Sequence, residues 1–272
     1  MRPTLSVIIP MYNESARIAA TVADVYATLQ AWHVPAEVLL VDDGSVDGTA
    51  GVAEGLCGVV GERMEVRLLR HASNRGKGGA VRTGMRAAAG DWVVFMDADN
   101  STRLVELEKL NAEARRSGAP VVIGSRAVAG SAVETSVLRR LAGRAFHVCL
   151  TLLGLDLAMD SQCGFKLYRA DAAAFLALHS TEDGFAFDVE HLLLARRAGI
   201  QVREVGVRWT HTAGGSIRVV RDGLKMVRAA WQIRRRVSRV AAAWVPRGMG
   251  GAGAESLPVG EAAGVAAASG VG

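Results

Sequence analysis

Short apolar runs rich in β-branched residues alternate, over the first half of the chain, with longer segments whose apolar positions recur every three or four residues. Leu5 to Ile9, Val38 to Val41, Val66 to Leu69, Trp92 to Met96 and Val121 to Ile123 have the length and composition of buried strands, and helix-length segments separate them. Strands that are apolar on both faces and joined by helices predict a mostly parallel central sheet flanked by helices. Ligands of such sheets sit beyond the carboxyl ends of the strands, so the polar residues that end each run are the first candidates for chemistry.

The second half reads differently. From Ser131 to Met159 the pattern is helical and apolar, and a glycine-containing segment, Asp160 to Tyr168, then leads to another helix and strand ending near Val207. The longest apolar stretch, Phe146 to Met159, is about 14 residues and includes His147 and Asp156, whereas a bilayer span takes about 20. It suits an interfacial element or the core equally. Further on, Ile217, Val220, Leu224, Val227 and Trp231 form a stripe at helical spacing, with Arg218, Arg221, Lys225, Arg228 and Arg235 beside it. Such a helix either lies in an anionic membrane interface or packs on its own domain with a solvated basic face. Beyond Pro246 the chain is mostly Gly, Ala and Val, too poor in large side chains to offset the entropy of ordering. The expected organisation is a main domain over 1–215, a basic amphipathic helix over 216–240 and a disordered tail over 241–272.

With 272 residues, half of them hydrophobic, the chain can bury one large core. The net charge of +5 matters through its location, since it clusters between Arg218 and Arg239. That stripe lacks aromatic interleaving beyond Trp231, which argues against nucleic acid. Cys57, Cys149 and Cys163 form no C-x-x-C pair, so neither a disulfide framework nor a cysteine zinc site is expected. Few residues precede the first apolar run, leaving no room for a signal peptide, and a reducing, cytoplasmic setting is expected.

The strand ends carry the chemistry. Pro10-Met11-Tyr12-Asn13-Glu14 follows the first strand, where Asn13 is placed to cap the next helix and Glu14 to accept from ribose hydroxyls. Val41-Asp42-Asp43-Gly44-Ser45 follows the second; Asp42 is placed to accept from a base N–H, although a capped Asp-Gly turn explains the same residues. Asn74-Arg75-Gly76-Lys77-Gly78-Gly79-Ala80 opens a helix with two cations among glycines, a setting for phosphate without Walker A spacing. Asp97-Ala98-Asp99 ends the fourth run. Two carboxylates two residues apart on an extended chain share a side and can address one Mg2+ or Mn2+; alternatively, one of them caps the helix starting near Thr102.

These four motifs, in this order and each behind a strand, resemble the family 2 glycosyltransferases of GT-A fold. Within them the chain looks most like the polyprenyl-phosphate sugar synthases, the dolichyl-phosphate glucosyltransferase and mannose synthase group, through Asp160-Ser161-Gln162-Cys163-Gly164-Phe165-Lys166-Leu167-Tyr168. The Gln-Cys-Gly-Phe-Lys core is similar to the glucosyl branch, where the mannosyl branch usually has Ser-Gly-Phe-Arg. The resemblance covers roughly residues 4 to 236. It implies an α/β GT-A nucleotide-diphospho-sugar transferase fold with a C-terminal amphipathic helix. It further implies donor binding by Pro10, Tyr12, Glu14, Asp42, Asp43, Lys77, Asp97 and Ala98, and a cation held by Asp97 and Asp99. Lys77 and Arg126 of Gly124-Ser125-Arg126 are implied to face phosphate. Phe187-Asp188-Val189-Glu190 resembles the family's acidic helix start near the sugar, and Asp99, Arg126 and Asp188 are the implied catalytic groups. One departure is Gly215-Ser216-Ile217-Arg218, which sets the cation one position later than the family's Gly-Ser-Lys.

The implied reaction moves a sugar, glucose from UDP-glucose or mannose from GDP-mannose, to a polyprenyl phosphate with inversion, at the cytoplasmic face of an anionic membrane. A phosphate acceptor is largely dianionic at neutral pH and needs no general base, whereas a hydroxyl acceptor would need one such as Asp188.

Overall fold

Two hydrophobic cores, one on each side of an eight-stranded sheet, account for the continuous apolar runs. The computed structural model describes residues 2–60, 63–134, 158–210, 219–240, 243–246, 257 and 259. The five expected strands are β1 (Leu5–Met11), β2 (Ala36–Asp42), β4 (Met64–Arg70), β5 (Trp92–Met96) and β6 (Val121–Ser125). Alternate residues of β1 serve opposite cores. Leu5, Val7 and Ile9 meet Ile18, Val22, Val25 and Leu29 of α1 (Ile18–Trp32), while Ile8 meets Ala80, Val81 and Met85 of α3 (Lys77–Ala87). A Cβ at Gly84 would lie 2.4 Å from Ile8 Cγ2, so glycine permits α3 to lie close on the strand.

The sheet order is β3-β4-β2-β1-β5-β8-β6-β9, with β3 (Gly58–Val60), β8 (Phe165–Arg169) and β9 (Val202–Gly206) completing it. β1 pairs in parallel with β2 and β5, β2 with β4, and β6 with β9. β8 runs antiparallel between β5 and β6, in register Phe95↔Lys166 and Ile123↔Lys166. The glycine-containing segment 160–168 is therefore half strand, and the sheet is mixed. A smaller sheet pairs β7 (Ala132–Glu134) with β10 (Arg208–Thr210). Among the described residues the remaining α-helices are α2 (Thr49–Gly55), α4 (Leu107–Ser117), α5 (Ala170–His179), α6 (Phe187–Ala198) and α7 (Val219–Val237).

α7 falls within the segment 216–240, and Ala230, Ile233 and Val237 on it are buried in the core shared with α6. Trp231 lies about 100° further round the helix and is 47% exposed. The expected disorder from 241 does not extend to Leu257 and Val259, which are buried in the other core; Leu257 accepts a bond from Asn111 Nδ2 at 2.7 Å. The apolar segment read from Phe146, together with Cys149 and Gly215 to Arg218, lies outside the described residues apart from 158 and 159. Among the described residues no helix is long and apolar enough to cross a membrane.

Candidate active site

The carboxyl ends of β1, β2 and β5 converge on one edge of the sheet. Asp42 closes β2, buried; its Oδ1 accepts the Ser45 N–H at 3.1 Å. Its Oδ2 lies 3.3 Å from Arg70 Nε but has no aligned hydrogen bond. A buried carboxylate oxygen without a donor is costly, and here it is an acceptor ready for a ligand. Neighbouring Asp43 is occupied: Oδ1 faces His71 Nδ1 at 2.7 Å and accepts the Arg75 N–H at 2.9 Å, and Oδ2 accepts the Gly76 N–H at 2.7 Å. Both oxygens of Asp43, expected to help hold the nucleoside, thus have partners within the chain. Its acceptors fix the loop from β4 to α3, and His71 Nε2 continues to the Thr83 hydroxyl at 2.9 Å.

At the end of β1, Pro10 is buried in the strand and Tyr12 is exposed at the rim. Asn13 does not cap α1, whose start at Ile18 has no side-chain cap. With φ of 57°, it turns toward β2; its Oδ1 accepts the Val46 N–H at 3.0 Å and its own N–H donates to Ser45 Oγ at 2.9 Å. The two strand-end loops are thus stitched together, and the Glu14 N–H donates to Thr49 Oγ1 at 2.7 Å. The Glu14 carboxylate pairs with Arg17 at 2.9 Å. Burial, aided by the Asp99 and Asp97 charges, holds its pKa above the usual carboxylate range despite Arg17.

Beyond β5 the chain turns at once, with the Asn100 N–H donating to the Asp97 carbonyl at 3.3 Å. The extended geometry expected for the two aspartates is therefore absent. Buried Ala98 faces α1 and accepts from Thr21 Oγ1 at 2.7 Å, which anchors the turn. Asp99 Oδ1 accepts the Ser101 N–H at 2.9 Å, closing this turn instead of capping a helix. Asp97 is a third exposed and lies 2.5 Å from Lys77 Nζ. Burial pulls Lys77 down, but the Asp97, Asp188 and Asp99 carboxylates outweigh it and hold its pKa above the ordinary lysine value. Behind Asp97 stands Gly164. Its carbonyl accepts the Asp97 N–H at 3.1 Å, and a Cβ there would sit 1.9 Å from Asp97 Oδ2. The glycine of the Gln-Cys-Gly-Phe-Lys core thereby makes room for the carboxylate.

The glycines before and within α3 serve packing more than phosphate. Cβ atoms at Gly76 and Gly78 would lie 2.3 and 2.4 Å from the carbonyl oxygens of Asp183 and Glu182, and the Gly79 N–H donates to Asp183 O at 3.2 Å. The loop 181–184 is held there by Arg82, which binds Glu182 O at 3.3 Å and pairs with Asp183. It is also held by Glu190, whose Oε2 accepts the Thr181 and Glu182 N–H groups at 2.8 and 2.7 Å. Glu190, at the helix start expected near the sugar, thus anchors this loop.

Arg126, expected to face phosphate, grips Asp160 with both arms, Nε to Oδ2 at 2.7 Å and Nη2 to Oδ1 at 2.8 Å. Burial works against Asp160's charge, yet Arg126 overrides it and holds the carboxyl below its usual range. Asp188 is buried and accepts from Lys166 Nζ at 2.5 Å. Burial raises its pKa, and the Lys166 and Lys77 charges offset only part of that. Lys166 and Gly164 carry no individual role in the sequence reading. The available signal was a lone lysine inside the apolar run of β8, which demands a buried counter-ion.

Among the described residues, no three His, Cys, Asp or Glu side chains group into a complete metal site. The two carboxylates after β5 nevertheless fit a hard divalent cation by donor chemistry. Such ions take one or two carboxylates from the protein and complete their shell with phosphate oxygens and water, and the Lys77 ammonium already supplies positive charge at this place.

A mostly parallel sheet whose strand-end acids face one edge, with the antiparallel strand β8 beside β5, defines a GT-A glycosyltransferase fold. Solved structures agree. Glucosyl-3-phosphoglycerate synthase from Mycobacterium tuberculosis matches with a TM-score of 0.64 at 20% identity, over 85% of this chain and 80% of its own. Mannosyl-3-phosphoglycerate synthase from Rubrobacter xylanophilus matches with 0.63 at 19%, over 91% and 78%. Another structure of the first enzyme, TM-score 0.61 at 19% identity over 87% of this chain and 80% of its own, holds Mn2+, UDP and glucosyl-3-phosphoglycerate. The chain belongs to glycosyl transferase family 2, whose model matches residues 6–176. Dolichyl-phosphate beta-glucosyltransferase of Drosophila melanogaster is 37% identical over 242 residues, 84% of this chain and 74% of its own. The enzymes of that name from Homo sapiens (35%; 78% and 69%) and Saccharomyces cerevisiae (32%; 82% and 72%) match similarly.

Proposed function

We propose that the protein transfers glucose from UDP-glucose to a polyprenyl phosphate of dolichyl type, with inversion, at the cytoplasmic surface of a membrane. The observation that carries this is the placement of two aspartates at the carboxyl end of β5, with Lys77 2.5 Å from Asp97, in a chain most of whose length aligns with dolichyl-phosphate beta-glucosyltransferases. Asp42 Oδ2, paired in charge with Arg70 but without a hydrogen-bond donor, accepts the N–H of the uracil ring, and Glu14 faces the ribose. Lys77 meets the diphosphate. A divalent ion held by Asp97 and Asp99 would supply charge stabilisation to the leaving UDP.

The acceptor phosphate, with a second pKa near 6, is already a dianion at neutral pH. One of its oxygens forms the bond to C1 from the face opposite the diphosphate, while the C1–O bond to UDP breaks and the electron pair leaves with UDP. No proton has to be removed, so no general base is needed. Arg126 meets an acceptor phosphate by exchanging one of its Asp160 bonds for a phosphate oxygen.

Membrane contact falls to α7. Arg228, Trp231 and Arg235 on it are exposed, and the Arg235 guanidinium lies 4.9 Å from the Trp231 ring centre. Basic side chains beside an exposed Trp suit an anionic headgroup layer. The reading is tested by incubating the protein with radiolabelled UDP-glucose or GDP-mannose and short polyprenyl phosphates, with and without MnCl2. Manganese-dependent label in the lipid phase from UDP-glucose is expected. Label from GDP-mannose alone, or label only on added saccharides, overturns it.

A further inference from the structure

Beneath the two aspartates, β8 places a charged side chain where an apolar one is expected. Lys166 is opposite Phe95 in the sheet and 1% exposed. Its ammonium donates to Asp188 Oδ1 at 2.5 Å and to the Cys163 carbonyl at 2.7 Å. A buried ammonium persists only when paired and hydrogen-bonded, and these two partners supply that. The Cys163 carbonyl belongs to the peptide that enters Gly164, and Gly164 is the wall behind Asp97, accepting the Asp97 N–H at 3.1 Å. The two lysines of the site also share one aromatic ring. Lys77 Nζ lies 5.3 Å and Lys166 Nζ 5.9 Å from the Phe95 centroid. Asp188 at the start of α6, Lys166, the 163–164 peptide and Asp97 therefore form one connected series.

We infer that Lys166 is a positioning residue that, anchored by Asp188, fixes the Cys163–Gly164 peptide against Asp97 and so holds the Asp97 carboxylate where cation and diphosphate meet it. Asp188 is accordingly the counter-ion of Lys166 and not a general base. The inference rests on the proposed donor site only in the ligand assigned to Asp97.

Lys166→Met, Asp188→Asn and the double variant test it through thermal unfolding, calorimetric binding of UDP in MnCl2, and steady-state transfer. Each single change strands a buried charge and is expected to lower the melting temperature by about 10 °C. Removing both charges restores most of that loss. The Cys163 carbonyl still lacks its donor in the double variant, so UDP binding in MnCl2 stays weaker by about tenfold to a hundredfold, the scale of losing a supporting residue behind a metal ligand. Its kcat stays within about tenfold of the parent, the loss appearing in KM.

A double variant that melts normally yet loses about 10² to 10⁴ in kcat would make Asp188 a base and overturn the inference. Normal UDP affinity in that variant would equally overturn it, by reducing Lys166 to charge balance. If the singles do not fold, the double variant carries both decisions. Failure of the proposed function has a different signature, a parent protein that transfers no sugar to polyprenyl phosphate, and it leaves the melting and UDP-binding comparisons to decide on Lys166.

Discussion

The acids that end β1, β2 and β5 and the acids contributed after residue 158 differ in what faces them. In the first group Asp42 keeps an oxygen without a hydrogen-bond donor and Asp97 is open to solvent beside Lys77. In the second, Asp160 is gripped by Arg126, Asp188 by Lys166, and Glu190 by the backbone of loop 181–184. Burial exacts a desolvation cost in both regions. The second region meets it with partners inside the chain, the first leaves acceptor capacity for a ligand. Residue type alone therefore separates a binding acid from a structural one poorly, and the partner of each oxygen separates them well. Asp43 makes the point inside the first group, since both of its oxygens are engaged in holding the loop from β4 to α3.

The sharpest way to break the comparison is to remove one acid from each side. Asp99→Ala is expected to reduce sugar transfer by about 10³-fold, the scale of losing a group that stabilises developing charge. The same change gives up one turn hydrogen bond to Ser101, about 1 kcal/mol, so the urea midpoint shifts little. Retained manganese-dependent turnover would place Asp99 with the structural acids. Glu190→Ala reverses the pattern. It leaves two N–H groups and the Thr181 hydroxyl without their acceptor, while Arg236 keeps Glu182, and is expected to lower stability by about 3 kcal/mol in urea unfolding. A loss below about 1 kcal/mol would move Glu190 to the ligand-facing group.

Acid titration sharpens the same contrast. His191 on α6 is buried between Tyr168 and Phe187. Burial, with Lys166 of β8 and Arg82 of α3 nearby, pushes its pKa down to about 3. The folded pKa lies below the unfolded one, so the stability this ring contributes is present above about pH 6.5 and is lost as pH falls toward 3. At about 1.4 kcal/mol per pH unit, the ring accounts for about 2 kcal/mol of any stability lost between pH 7.5 and 5. His191→Leu should remove that increment from the difference between the two pH values. An unchanged difference would show that His191 takes up its proton in the folded state.

The strand ends were legible because period and position coincide. A mostly apolar run of three to five residues followed by polar residues and glycines at a turn has few other meanings, and all five expected strands are present. β8 was less legible, because Phe165-Lys166-Leu167-Tyr168 carries a charge at a buried position and its strand character depends on insertion between β5 and β6. The glycines from Gly76 to Gly79 were read as a phosphate cradle. Their main neighbour is loop 181–184, about 100 residues away in sequence, and no local pattern announces it. Side-chain roles that depend on a distant partner, such as Arg126 with Asp160, share that limit.

The smallest effect concerns α7, where the two regions of one helix make the comparison again. Ala230, Ile233 and Val237 are buried in the core with α6, so packing on the domain accounts for that face. It does not account for Trp231, which is 47% exposed with Arg235 over its ring, or for exposed Arg228. If this outer face meets an anionic surface, Arg228→Gln and Arg235→Gln should each weaken co-sedimentation with phosphatidylserine vesicles by about fivefold, the equivalent of about 1 kcal/mol per basic residue. The loss should shrink as salt shortens the Debye length. Arg235→Gln should also weaken insertion of Trp231, seen as a smaller blue shift of its emission on vesicles, whereas Arg228→Gln should lower affinity and leave the shift at saturation unchanged. Equal binding by all three proteins at low salt would assign α7 wholly to packing, and the basic face would then be solvated surface.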